Sequence, residues 1–243
     1  MRESDSLTLD GGRVLSYAIY GSPVPHTSVF YFHSFASSRK EAKIWHTAAA
    51  KLGVRLVAPD RPGLGNSSFQ PSRTFLDWPK DVIALADHLK IQTFYVMGWS
   101  GGVIGNAARN PDPKVYEETL TKAIDGRPEI DKRAMMDEKN WPGFCEGTRE
   151  GLRQGGQGTG VENKLNGSSW GFELAELKVG EGGVPLTLWH GTEDINCPAT
   201  MTLKAKQLLP GAKLNMLKGE GHASIAFNHQ EEVLSELIGA TDN

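Results

Sequence analysis

Thr93-Phe94-Tyr95-Val96-Met97-Gly98-Trp99-Ser100-Gly101-Gly102 is the stretch whose reading decides the fold. Phe94 to Met97 is a short apolar, aromatic and β-branched run, which predicts a buried strand. It stops at Gly98, and Gly98, Trp99, Ser100, Gly101 and Gly102 spell G-x-S-x-G. After a strand and before a helix, that pattern holds a serine at the apex of a tight strand-to-helix turn, a nucleophile elbow. Side chains two residues to either side of the serine would collide in such a turn, and Gly98 and Gly102 remove them. The hydroxyl of Ser100 is then expected to project clear of the sheet.

Outward from this centre the chain alternates strands and helices. Leu7 to Leu9, a turn at Asp10-Gly11-Gly12 and Arg13 to Tyr20 predict a β-hairpin. Ser28 to Phe32 and Val54 to Ala58 are apolar strands, separated by a helix-like Lys40 to Leu52 with Ile44, Ala48 and Leu52 on one face. Asp77 is a plausible N-cap for a helix through Leu89, and Gly101 towards Arg109 predicts the helix of the elbow. Later come a strand at Pro185 to Trp189, a helix at Ala199 to Leu209, a strand at Lys213 to Leu217 and a closing helix at Gln230 to Ile238. This alternation predicts an α/β domain spanning residues 1–243, its mostly parallel sheet covered by helices on both faces. The core is about 7–109 and 184–240. Residues 110–183 differ in texture, being polar, with twelve glycines between Gly143 and Gly183. They predict a short, glycine-rich lid over the active site. Gly155-Gly156-Gln157-Gly158-Thr159-Gly160 follows no strand, so it predicts a loop and not a dinucleotide site.

The 243 residues suit one such domain, and 28 glycines lie well above the roughly 7% average. A net charge of −3 without any Lys/Arg run argues against nucleic acid and an anionic membrane surface as partners. MRESDSLTLDGG has no apolar core of a signal peptide, and Cys145 and Cys197 form no disulfide framework or metal spacing, so the expected location is the cytoplasm. No pattern calls for a cofactor or a metal; the expected partner is a small-molecule substrate.

A serine needs a base to become a nucleophile, and the base needs an orienting carboxylate. Ser100, Asp194 and His222 follow one another in the chain, each just beyond a predicted strand. Together with His33-Ser34, Asp60 to Gly65, Trp189 to Asp194 and Gly221-His222, these residues resemble the α/β-hydrolase superfamily, in its branch with a DRPG-type turn and a G-W-S-G-G elbow. The resemblance implies Ser100 as nucleophile, His222 as general base and acid, and Asp194 as orienting acid. It implies an oxyanion hole from the backbone N–H groups of Phe35 and Gly101. Glu193 and Asp125 are the alternative acids. Asp60 is expected to pin its own turn by hydrogen bonds, and Trp99 to pack beside the site as core. The implied activity is hydrolysis of a small carboxylic ester, or of an amide or thioester, through an acyl-enzyme. Serine at the elbow argues against dehalogenase or epoxide hydrolase chemistry. The alternatives are a catalytically impaired protein that binds a small ligand, and an aminopeptidase-like hydrolase.

Three departures accompany the resemblance. The family's H-G-x-x-G loop reads His33-Ser34-Phe35-Ala36-Ser37, so both glycines carry side chains. No β-branched run stands between Ile104 and Val184 for the strand that normally follows the elbow helix. The lid is short. Either strand 185–189 closes up on strand 93–97 by one spacing of about 4.8 Å, or a gap remains, with Lys114 to Leu120 expected over it.

Overall fold

The structure, a computed structural model, describes residues 1–99 and 113–240. Strands β1 (Arg2–Thr8) and β2 (Val14–Gly21) pair antiparallel around the Asp10–Gly12 turn, as the alternating pattern predicts. With β3 (Thr27–Phe32), β4 (Val54–Pro59) and β5 (Tyr95–Gly98) they form a sheet ordered β1-β2-β4-β3-β5. β2 and β4 are antiparallel, whereas β3 lies parallel to both β4 and β5. The period of two along the strands sends Tyr20, Val29, Tyr31, Leu56 and Ala58 to one face. There they meet Trp45, Ala48 and Leu234. Tyr17, Phe30 and Val57 go to the other face and meet Val82 and Leu85. Leu85 comes from α2 (Trp78–His88), Ala48 from α1 (His46–Lys51) and Leu234 from α9 (Gln230–Leu237). Helices thus cover both faces.

Two local expectations are corrected. The helix expected over Lys40 to Leu52 begins as a 3-10 helix over Arg39–Trp45. In that part Arg39 and Glu41 are buried and tethered to partners elsewhere in the fold, which an apolar pattern does not reveal. Asp77 precedes α2 without capping it; its carboxylate instead accepts from Thr74 N and Oγ1 in the turn before.

The larger correction concerns the sheet. β6 (Thr187–Gly191) and β7 (Lys213–Leu217) pair parallel with each other in a separate two-stranded sheet. Among the described residues no strand joins β5 to β6. The elbow strand, expected to be buried, therefore carries Tyr95 and Val96 at 41% and 50% exposure. Lys114 to Leu120, expected over such a gap, is helical. It belongs to α3 (Pro113–Ile124), whose Leu120 packs with Ala36, Cys145 and Leu152 and whose Ile124 packs with Met135 and Phe227.

The insertion is helical where glycine richness suggested a loose lid. α3 is followed by α4 (Glu129–Met136), α5 (Trp141–Gly151) and α6 (Gln157–Asn166). Several of its glycines are contact points. A Cβ on Gly151 would stand 2.2 Å from Ser37 O, and one on Gly158 2.4 Å from Gly63 O. The Gly155–Gly160 stretch is thus the start of a helix that packs against the Asp60–Gly65 turn. α7 (Ala199–Leu208) and the short α8 (Ser224–Asn228) complete the described elements. Among them no helix is long and apolar enough to cross a membrane.

Candidate active site

The site is assembled at the carboxyl ends of β3, β5, β6 and β7. β6 ends at Gly191, and the turn that follows places Asp194 with its side chain only 5% exposed. Asp194 Oδ1 accepts the backbone N–H groups of Asn196 and Cys197, both at 2.8 Å. Oδ2 faces His222 Nδ1 at 2.7 Å. His222 lies just past β7 and is itself nearly buried. The two turns are laced together by Glu193 N–H donating to Glu220 O and Gly219 N–H donating to Thr192 Oγ1. With Nδ1–H directed at a carboxylate, Nε2 is the basic nitrogen of the ring.

The competing acids stand elsewhere. Glu193 is exposed beside Thr192, and Asp125 is exposed just after α3. Asp194 is therefore the carboxylate that meets His222.

Ser100 and Gly101 lie outside the described residues, as does the helix expected from Gly101 towards Arg109. The residue before them is described. Trp99 Nε1 donates to His222 O at 3.1 Å, and its ring packs edge-on against Phe227. The end of the elbow strand and the histidine turn are thus in direct contact, and Trp99 serves as both core and neighbour of the site.

The loop after β3 holds Phe35, which packs with Ala36, Leu120 and Cys145. Ser34 and Ser37, which stand where the family pattern has glycine, do not have positive φ; the strained residue is Ala36, at φ 59°. Their Cβ atoms are therefore carried without backbone strain. Glu41 braces this loop from within, accepting from Ser34 N–H at 2.7 Å, Tyr31 OH at 2.6 Å and Ser34 Oγ. Burial raises the pKa of Glu41 and holds the Tyr31 hydroxyl far above its ordinary range. His33 Nδ1 faces Ser34 O at 2.8 Å, and Nε2 accepts Arg61 N–H at 3.2 Å. Burial, with the Arg61 cation adding to it, depresses its pKa well below the ordinary histidine value, so His33 is neutral.

Asp60 pins its turn as expected, accepting Arg39 N–H, the Arg39 guanidinium and Asn66 N–H. Next to it the guanidinium of Arg61 donates to both His33 O and Ser34 O and pairs with Glu162 of α6. Arg73 pairs with the same Glu162 at 3.1 Å. Asp131 of α4, fully buried, accepts three backbone N–H groups from the histidine turn. Sequence reasoning missed Glu162 and Asp131, because charged residues in a polar stretch look like a solvated face, and it names Arg61 only as part of the Asp60–Gly65 turn.

The donor atoms of Asp194, Cys197 and His222 lie within 4.8 Å of one another. Two oxygen or nitrogen ligands about 2.1 Å from a tetrahedral zinc would stand roughly 3.4 Å apart. The 2.7 Å between His222 and Asp194 is a hydrogen bond, not the span of a metal cage. Cys145 is no nucleophile candidate, because burial pushes its thiol up to about 12.

Residues 27–174, more than half of the chain, match the family described as alpha/beta hydrolase fold. The chain belongs to that family. An uncharacterized hydrolase of Bacillus subtilis (strain 168), YcgS, is 29% identical over 101 residues, which is 42% of this chain and 34% of that protein. The chain thus spans about a third of this curated relative's length. Among solved structures, the enol-lactonase from Burkholderia xenovorans LB400 is similar with a TM-score of 0.66 and 19% identity, over 96% of this chain and all of that one. The esterase RhEst1 from Rhodococcus sp. ECU1013 gives 0.65 and 17%, over 98% of this chain and 100% of its own. At these identities the likeness is one of fold; Asp194 and His222 follow β6 and β7, the two strands of the smaller sheet.

Proposed function

We propose that the chain is a serine hydrolase that cleaves a small carboxylic ester through an acyl-enzyme. The observation that carries this is the 2.7 Å contact of His222 Nδ1 with Asp194 Oδ2, in a turn where the His222 carbonyl accepts the indole N–H of Trp99, the residue before Ser100. Ser100 Oγ attacks the ester carbonyl and its proton passes to His222 Nε2. The tetrahedral oxyanion accepts the N–H groups of Phe35 and Gly101, each such donor supplying roughly 100- to 1000-fold in rate. Collapse expels the alcohol, which takes the proton from His222. Water, deprotonated by the same nitrogen, then attacks the acyl group, releases the carboxylic acid and restores Ser100. Asp194 keeps the ring in the required tautomer. An ester is preferred over an amide because two similar folds are named as an esterase and an enol-lactonase; a thioester stands beside it, since an equally similar fold is named as a thioesterase domain. A cytoplasmic location fits Cys145 and Cys197, neither of which is in a disulfide.

The second reading, a catalytically impaired hydrolase-fold protein that binds a small ligand, draws on the separation of β5 from β6 into different sheets. p-Nitrophenyl esters of graded acyl length distinguish the two. The first reading expects turnover that Ser100→Ala abolishes with the fold retained. No turnover by a folded wild type, or persistent turnover by the Ala variant, overturns it.

A further inference from the structure

We infer that Asp131, in the insertion, is a positioning residue for His222; this rests on His222 being the base. Asp131 sits in the first turn of α4 and is 0% exposed. Its Oδ2 accepts His222 N–H at 3.0 Å, and its Oδ1 accepts Ala223 N–H at 2.9 Å and Ser224 N–H at 2.8 Å. Three successive N–H groups pointing inward form an anion-binding nest, and the protein fills it with its own carboxylate. Burying that charge is tolerable because three donors replace its water.

These contacts fix the base from one side while other groups fix it from the rest. The carbonyl of His222 is held by Trp99, its ring by Asp194, and Gly221 N–H is held by Ser224 Oγ at 2.8 Å. The same end of the insertion also reaches the acid's turn. With its side-chain amide oriented so that the oxygen faces a donor, Asn196, whose backbone N–H binds Asp194, accepts the Arg127 guanidinium at 3.0 Å. Residues 127 to 131 thus grip both halves of the acid–base pair. The insertion acts as a fixed brace on the catalytic turn, in contrast to a lid that merely covers it. Gly221 shows how close the brace is, since a Cβ there would stand 2.4 Å from Asp131 Oδ1. The backbone of Gly221 is one that alanine can adopt, so the carboxylate is the obstacle.

The test compares wild type with Asp131→Ala, Asp131→Asn and Gly221→Ala in the full chain. It reads kcat and KM for p-nitrophenyl acetate per folded molecule, together with amide hydrogen exchange at residues 222 to 224. A displacement of about 1 Å at a catalytic group costs on the order of 100-fold. Asp131→Ala is therefore expected to lower kcat by about 100-fold with KM within roughly threefold, and to expose all three amides. Asp131→Asn, its oxygen kept toward Ala223 and Ser224, should lose protection at His222 alone and fall less. Gly221→Ala should lower kcat more in the wild-type background than beside Asp131→Ala, which removes the atoms it strikes. If Asp131→Ala does not fold, Asp131→Asn decides, by its kcat and its exchange at His222. Unchanged kcat per folded molecule, a loss confined to KM, or unaltered protection at 222 to 224 overturns the inference. A wild type silent toward esters, with the exchange response intact, overturns the hydrolase reading and leaves the brace standing.

Discussion

At the scale of single residues, the account turns on which carboxylate orients the base. Asp194 meets His222 at 2.7 Å, whereas Asp125 is exposed after α3. Asp194→Asn is expected to lower kcat by about 10⁴-fold through the wrong imidazole tautomer, and Asp125→Asn to leave it within twofold. The reverse order in ester assays would reassign the acid. His33 gives a separate pH prediction. Its folded pKa is depressed, first by burial and then by the Arg61 charge. The unfolded chain takes up a proton near the ordinary value of about 6.5, which the native state refuses. The stability it contributes is complete above that value and is lost as pH falls below it, by up to about 1.4 kcal/mol per pH unit. His33→Gln, which keeps a donor and an acceptor, should flatten the fall of melting temperature between pH 7 and pH 5. Parallel melting curves for the two proteins would contradict this.

At the scale of elements, the insertion is bound to the catalytic loops by buried charge. Glu162 of α6 serves Arg61 and Arg73 together, and Arg61 in turn holds the carbonyls of His33 and Ser34. Glu162→Gln leaves two arginines without their counter-charge. Breaking a buried pair in this way costs on the order of 3 kcal/mol, to be read by urea unfolding, and it should also loosen the loop that carries Phe35. A change below roughly 0.5 kcal/mol would mean that the network is solvated. These ties also mark where sequence stops being legible. The hairpin follows from a period of two and β4 from its apolar run, and Asp194 and His222 could be found because each stands in a turn after a strand. Asp131 and Glu162 could not, because Glu129-Ile130-Asp131-Lys132-Arg133 looks like a solvent face until tertiary packing brings the histidine turn against it. The elbow strand departs from its pattern for the complementary reason. Phe94 to Met97 has the composition of a buried strand, but burial needs a neighbour that the described chain does not supply on that side.

At the scale of the molecule, the division of the sheet bears on stability. β6 and β7 are joined to the larger sheet through helices: α9 packs on α1, α8 on α4, and Leu234 enters the core beneath β3 and β4. No ladder of backbone hydrogen bonds crosses from β5 to β6 among the described residues. Side-chain packing alone yields more easily than packing reinforced by a ladder. Amides of β6 and β7 are therefore expected to exchange through an opening of lower free energy than those of β3 and β4; equal opening energies would show one cooperative sheet. The exposed Tyr95, Val96 and Val184 point the same way, toward a melting temperature below that of relatives with an unbroken sheet. The central claim, that Ser100 is a nucleophile driven by His222 and Asp194, is tested most directly by intact-mass measurement after treatment with a fluorophosphonate. The account predicts a single adduct that maps to Ser100, is absent from Ser100→Ala and forms far more slowly in His222→Ala. A folded wild type that takes no adduct, or takes it at another residue, would contradict it.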